Sequence, residues 1–283
     1  MGLLNIPREL LLLIIHLVDI GSVFSLGHTC KFLSKIHTKH IDFVNLCEPP
    51  QSDQYDSDRS IIDVMIENDH VNLVAWMEPY CRLFTLNIVR KYCKKAAESG
   101  SFESLKYIHT YYSLNISSCE YIMDDAVDGG NLNLIKYLHD NGCDWDEKTC
   151  TYAAFNNNLD ILKYLHENEC PWNEKACLAA CHNDHVDILK YLHENGCLWD
   201  EDTYFYACYG NHLESLKYLH ENGCPRDSHA CHIACHNGHL EIFKYLHENG
   251  CSLDEVVRHI VEYDHPDIVE YIRKTKMSQN SES

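Results

Sequence analysis

A histidine followed four residues later by a cysteine recurs along the chain, at His139 and Cys143, His166 and Cys170, His193 and Cys197, His220 and Cys224, and His247 and Cys251. Both are common zinc ligands, and the chain holds 16 cysteines and 20 histidines in all. A structural zinc needs four such ligands converging at about 2.0–2.3 Å. Equivalent positions of stacked helical units stand roughly 8–10 Å apart, so neighbouring units cannot easily share one tetrahedral ion. The same spacing rules out unstrained disulfides between equivalent cysteines, which need Cα atoms within about 7 Å. The cysteines therefore read as small buried apolar residues. The histidines read as turn hydrogen-bonders and as partners for helix C-termini. Cys177 with Cys181, and Cys231 with Cys235, lie at i,i+4, where each pair offers two ligands without a matching second pair. No metal or cofactor is expected. A phosphate-binding glycine loop, an H-E-x-x-H helix and a nucleophile elbow are all missing from the sequence. The chain does not read as an enzyme.

The elements behind this pattern form a repeat. The string KYLHENGC or a variant places a lysine at Lys106, Lys136, Lys163, Lys190, Lys217 and Lys244, at intervals of 30 and then 27 residues. Degenerate copies at Ala75 and Glu270 extend the series to about eight units between Ile61 and Ile272. Each unit reads as two short helices. In the unit from Asp146 to Cys170, Ala153 and Ala154 face inward on the first helix and Asn156, Asn157 and Asn158 make the turn. Leu159, Ile161, Leu162 and Leu165 form the apolar stripe of the second. Asp146, Asn173, Asp200, Asp227 and Asp254, again 27 apart, are N-cap types. Gly142, Gly196, Gly223 and Gly250 follow the second helices, where a left-handed residue closes a helix cheaply. Glu169 takes that place in one unit, which predicts a corner that is strained or differently shaped. One helix pair cannot bury its apolar face alone, whereas stacked pairs can.

The strings AACHNDHVDILKYLHENGC (Ala179 to Cys197) and NGHLEIFKYLHENGC (Asn237 to Cys251) resemble the second half of an ankyrin repeat, and the likeness covers roughly residues 61–272. It implies an all-α, ankyrin-like helix-pair solenoid that binds proteins. Ankyrin repeats run to about 33 residues, and these run to 27. The shortfall lies before the first helix, where ankyrins carry a β-hairpin finger, so short loops are expected. The 27-residue type is similar to ankyrin arrays of giant DNA viruses and some protists.

Residues 1–46 lie outside the repeat. The segment reads as three short helices, opened by Pro7, with Thr29 capping the third. About 40 residues bury too little to fold alone. The pattern I-P-x-E-L-L-x-x-I followed by T-C-K-x-L resembles an F-box, carried by Ile6, Pro7, Glu9, Leu10, Leu11, Ile14, Leu26, Thr29, Cys30, Lys31 and Leu33. The resemblance implies docking on the Skp adaptor of a cullin-RING ubiquitin ligase through Ile6, Pro7, Leu10, Leu11, Ile14, Leu26, Cys30 and Lys31. The alternative is a hydrophobic cap on the repeat stack, which terminal repeats need in any case. Residues 47–60 read as an acidic linker and residues 273–283 as a disordered tail.

The net charge of −20 disfavours nucleic acid and anionic lipid and suits neutral or basic protein partners. The apolar run from Leu10 to Ile15 is too short to span a bilayer and follows Arg8 and Glu9 without a cleavage site. This predicts a cytoplasmic protein (in the host cell if viral), with the nucleus as the other compartment and with reduced thiols. Candidate target-binding residues are of two kinds. Trp145, Trp172 and Trp199 stand one residue before the first-helix caps, as staples onto Cys150 and Cys177 for the first two, or as interface anchors. On the first helices, Tyr152, Leu178, Phe205 and His232 are read as one column, and Phe155, His182, Tyr209 and His236 as another. These positions change chemistry between units, as a concave recognition face does; drift at half-exposed sites is the other explanation. The expected function is an interaction adaptor, a substrate receptor for a Skp-cullin-F-box ligase. Its rivals are a stand-alone scaffold and, more remotely, a metal-storing or redox-active protein.

Overall fold

The structure is a computed structural model that describes residues 61–71, 74–75, 86–253 and 265–281. The F-box-like segment 1–46, the linker 47–60 and the cap residue Asp254 lie outside the described residues. Every regular element among the described residues is a helix. The chain divides into two compact units, Met1–Asp144 and Trp145–Ser283.

In the first unit, α1 (Ile61–Glu67) and α2 (Leu86–Glu98) precede the pair's second helix α3 (Phe102–Tyr111). A 3-10 turn at Ile116–Ser118 leads to the pair α4 (Ile122–Asp128) and α5 (Leu132–Asp140). Helix α2 packs against α1, α3 and α4. Small residues make this close approach possible, since Cys93, Ala96 and Ala97 on α2 and Ala126 on α4 are fully buried. Asn131 caps α5, its side chain accepting from the backbone N–H groups of Asn133 and Leu134.

The second unit repeats one pattern. Its first helices are α6 (Glu147–Phe155), α8 (Glu174–His182), α10 (Glu201–Tyr209) and α12 (Ala230–His236). Its second helices are α7 (Leu159–Glu167), α9 (Val186–Glu194), α11 (Leu213–Glu221) and α13 (Leu240–Glu248), followed by α14 (Pro266–Ser281). Each first helix packs on the next first helix and on its own partner. Ala153, Ala154, Ala180, Cys177 and Cys181 are fully buried on these helices and let the backbones come near. The second helices bury an i, i+1, i+4 stripe: Ile161, Leu162 and Leu165, then Ile188, Leu189 and Leu192.

Three of the expected caps, Asp146, Asn173 and Asp200, are in place. Asp146 accepts from Lys148 N and completes a capping box with Thr149. Asn173 accepts from Lys175 N at 3.0 Å and Asp200 from Thr203 N at 3.1 Å. Asp227 accepts from His229 N at 2.9 Å although the helix starts only at Ala230. The loops from α7 to α8 and from α9 to α10 are short and carry no strand, as the 27-residue period predicts.

Left-handed residues close both ends of each pair. Within pairs they are Asn157, Asp184, Asn211 and Gly238, with φ of 59°, 58°, 62° and 74°. Between pairs, Gly196 and Gly223 adopt φ of 82° and 78°, while Glu169 adopts 64°. An L-residue there costs about 1–2 kcal/mol, and the extra chain entropy of glycine offsets roughly 0.5–1 kcal/mol of any gain. A Glu169→Gly chain is therefore expected to unfold with about 0.5–1 kcal/mol more free energy, measured by urea titration.

Within the C-terminal segment, α14 continues as far as Ser281. Ile268 and Ile272 anchor its first half in the core. From there each added residue gains a helical hydrogen bond without a new nucleus. Lys274 pairs with Glu270 at 2.7 Å, and Thr275 Oγ1 donates to the Tyr271 carbonyl at 3.0 Å.

Candidate protein-binding surface

The first helices of the second unit each end on a ring. Phe155, His182, Tyr209 and His236 are the last residues of α6, α8, α10 and α12, and all four are exposed. A C-terminal carbonyl at such a position has no partner within its own helix. Here each one accepts a hydrogen bond from the next repeat. His185 Nε2 meets the Phe155 carbonyl at 3.0 Å, His212 that of His182 at 3.0 Å, His239 that of Tyr209 at 2.9 Å, and His265 that of His236 at 2.9 Å. Because the acceptor is a carbonyl, each Nε2 must carry the proton. The backbone beneath every exposed ring is thus pinned by its neighbour.

The rings form a stripe. Phe155 and His182 stack with centroids 6.4 Å apart, and His182 lies 5.3 Å from Tyr206. Phe205 stacks on Tyr209 at 5.9 Å, and His232 on His236 at 6.3 Å. Exposure reaches 48% for Phe155 and 54% for Tyr209, and Tyr152 is exposed as well. One column needs correcting. Tyr152 stands 26 residues before Leu178, so its true register mates at 27 are Ala179, Tyr206 and Ile233; Thr151 is the mate of Leu178, Phe205 and His232. Tyr206, missed by the sequence reading, joins the stripe through this register.

The tryptophans lie elsewhere, on the loops, and are half-buried. Trp172 stacks on His166 at 4.0 Å, Trp199 on His193 at 3.8 Å, and Trp145 meets the edge of Tyr164 at 6.3 Å. The same histidines reach across to the next second helix: His166 Nδ1 to Tyr191 Oη and His193 Nδ1 to Tyr218 Oη, each at 3.0 Å. Much of each indole is therefore spent holding repeats together. The histidines do sit in the last turn of their helices, as expected, but they bind a tyrosine rather than a turn.

One repeat departs. Fully buried Tyr204 takes the place held by Cys150 and Cys177, and its Oη lies 3.2 Å from His220 Nδ1. Arg226 stands where the tryptophans stand, and its Nη2 donates to His220 Nε2 at 2.9 Å. Arginine is an obligate donor, so the His220 proton sits on Nδ1 and is given to Tyr204. Burial, and then the Arg226 charge, hold the His220 pKa below its usual value. The unfolded chain then binds more protons as pH drops below about 6.5. This contribution to stability is present above that pH and lost below it. His220→Gln is expected to reduce the loss of urea resistance between pH 7.5 and 5.5. In the other unit Asp125 acts in the opposite sense, since burial lifts it to about 6, so the comparison with the variant isolates His220.

The cysteines of the H-x-x-x-C series behave as small core residues: Cys143, Cys170, Cys197 and Cys224 are each 4% exposed. Burial pushes the Cys143 and Cys224 thiols up to about 12. Among the described residues no group of three or more His, Cys, Asp or Glu is placed to hold a metal ion. Nor is any described helix long and apolar enough to cross a membrane.

The helix pairs, short turns and caps have a counterpart among known families. The family description "Ankyrin repeats (3 copies)" matches residues 122–203, 150–228, 177–257 and 204–282, overlapping spans that together cover more than half of the chain. The chain belongs to the ankyrin-repeat family. Among solved structures it is similar to the "Crystal structure of human ASB11 ankyrin repeat domain", with 16% identity, 57% of this chain and 85% of that chain covered, and a TM-score of 0.48. No curated protein matches it. In these ankyrin repeats the first helices end on exposed rings while the tryptophans and histidines of the loops tie successive repeats together.

Proposed function

We propose that the exposed stripe on the first helices is where this ankyrin-repeat protein holds its target, and that the target offers a basic segment. Ankyrin repeats bind proteins. The observation that carries the finer reading is the row of exposed rings Phe155, His182, Tyr209 and His236 on pinned backbone, with half-buried Tyr206 beside His182. Rigid aromatic side chains lose little entropy on binding and anchor interfaces. Arginine and lysine bind ring faces, and a net charge of −20 draws basic segments in.

The chain's working role is then that of an adaptor, with Ile6, Pro7, Leu10, Leu11, Ile14, Leu26, Cys30 and Lys31 docking it on the Skp adaptor of a cullin-RING ubiquitin ligase. The support for this half is the sequence pattern alone. Bond formation would belong to the ligase, in the cytoplasm (of the host if the chain is viral). A pull-down of the full chain with a eukaryotic Skp adaptor, beside a Pro7→Ala, Leu10→Asp variant, tests it. Capture of the native chain and loss in the variant support the ligase role. Equal capture or none reduces residues 1–46 to a cap and leaves a stand-alone ankyrin scaffold.

A further inference from the structure

Four residues after each first-helix capping residue stands Cys150, Cys177, Tyr204 or Cys231, and twenty residues beyond each of these cysteines stands Cys170, Cys197 or Cys251. In the first of these repeats the paired cysteines lie close, with Cys150 Sγ 4.0 Å from the Cys170 carbonyl. The loop thiols also reach a carbonyl of the capping residue: Cys170 Sγ lies 3.4 Å from Asp146 O and Cys197 Sγ 3.2 Å from Asn173 O. Both pairs are buried.

The third pair differs in three ways. Helix α12 begins at Ala230, so Ser228 and His229, which open the helix in the register of the other repeats, stand outside it. A cavity of about 530 Å³ lies there, lined by Ser228, His229 and Cys231 on one side and Asn249, Cys251 and Ser252 on the other. Cys251 is half-buried where its counterparts are buried, and it stands 6.6 Å from Cys231 between Cα atoms, within reach of a disulfide. Cys231 and Cys251 are not equivalent positions of successive repeats, so the spacing that keeps equivalent cysteines apart does not separate them.

We propose that Cys231 and Cys251 form a thiol–disulfide exchange site whose cavity admits a low-molecular-weight disulfide such as oxidised glutathione. The Cys251 thiolate attacks one sulfur of the glutathione disulfide, forming a mixed disulfide and expelling one glutathione thiolate. The Cys231 thiolate then attacks the Cys251 sulfur and expels the second. Two protein thiols are oxidised, one glutathione disulfide is reduced to two glutathione molecules, and the two protons go to the departing thiolates. The first turn of α12 is short in the linked form. In the reduced form Cys251 is free to donate to Asp227 O, as its counterparts do to Asp146 and Asn173, and the helix recovers Ser228 and His229.

The test uses the full chain, fully reduced and then exposed to oxidised glutathione. Free thiols are trapped by alkylation at intervals and peptides are mapped without reduction. Exchange follows access, so the Cys231–Cys251 peptide should appear about tenfold or more faster than any link from Cys150 to Cys170 or from Cys177 to Cys197. Cys231→Ser should stop at a mixed disulfide of glutathione with Cys251. Equal rates for the three pairs in the native chain would overturn the proposal, and that comparison needs no variant to fold. An unmodified Cys251 in a folded Cys231→Ser chain would overturn it as well.

Discussion

Leu189→Ala is expected to remove about 3 kcal/mol of unfolding free energy, the middle of the range for emptying a fully buried leucine site. Leu189 is completely buried on α9, flanked by Ile188 and Leu192. The methylenes lost are only part of the effect. Neighbouring repeats pack rigid helices against the site, so the cavity closes poorly, and in a stack each repeat is stabilised chiefly by the ones beside it. Leu198→Ala serves as the control. Leu198 is 76% exposed on a loop, and its truncation should change stability by no more than about 0.5 kcal/mol. Urea unfolding of the two variants, followed by helical circular dichroism, separates them. Similar midpoints for the two would mean that the repeat core is not where these side chains place it.

Phe155→Ala combined with Tyr209→Ala should act in the reverse manner, leaving the fold intact and removing binding. Both rings are about half exposed, so truncation costs little stability. Their backbone carbonyls still accept from His185 and His239 in the variant, because those bonds involve no side chain of residue 155 or 209. Two aromatic anchors lost from the centre of an interface typically cost about 2–4 kcal/mol together, a fall in affinity of roughly 30- to 1000-fold. Raising salt should weaken the native complex as well, since the long-range attraction to a basic partner is screened.

The helical period was legible because it is written several times over. The lysines at 27-residue intervals, the caps Asp146, Asn173 and Asp200, and the glycines Gly196 and Gly223 mark the same boundaries independently. The strained corner at Glu169 was legible for the same reason, since a lone departure from a glycine column predicts a left-handed residue with a Cβ. Sideways contacts were not legible. That His166 stacks on Trp172 and bonds Tyr191 depends on how one second helix lies on the next, which no single-repeat pattern contains. The cysteine pairs did leave a signal, the recurrence of a 20-residue separation. It was obscured by comparing each cysteine with its equivalent 27 residues away. Tyr152 was misplaced by one residue of register, and one residue on a helix turns a side chain by about 100°.

If the first-helix rings hold the target, a probe set among them must meet it. A photo-crosslinking residue placed at position 182, between Phe155 and Tyr206, tests this most directly, carried in the native chain, in the Phe155→Ala, Tyr209→Ala chain, and in a Glu194→Gln, Glu221→Gln control altered on exposed second-helix positions. One discrete, salt-sensitive protein adduct is expected in the native chain and the control, reduced at least tenfold in the ring variant. Undiminished crosslinking in the ring variant, or loss in the control alone, would contradict that placement.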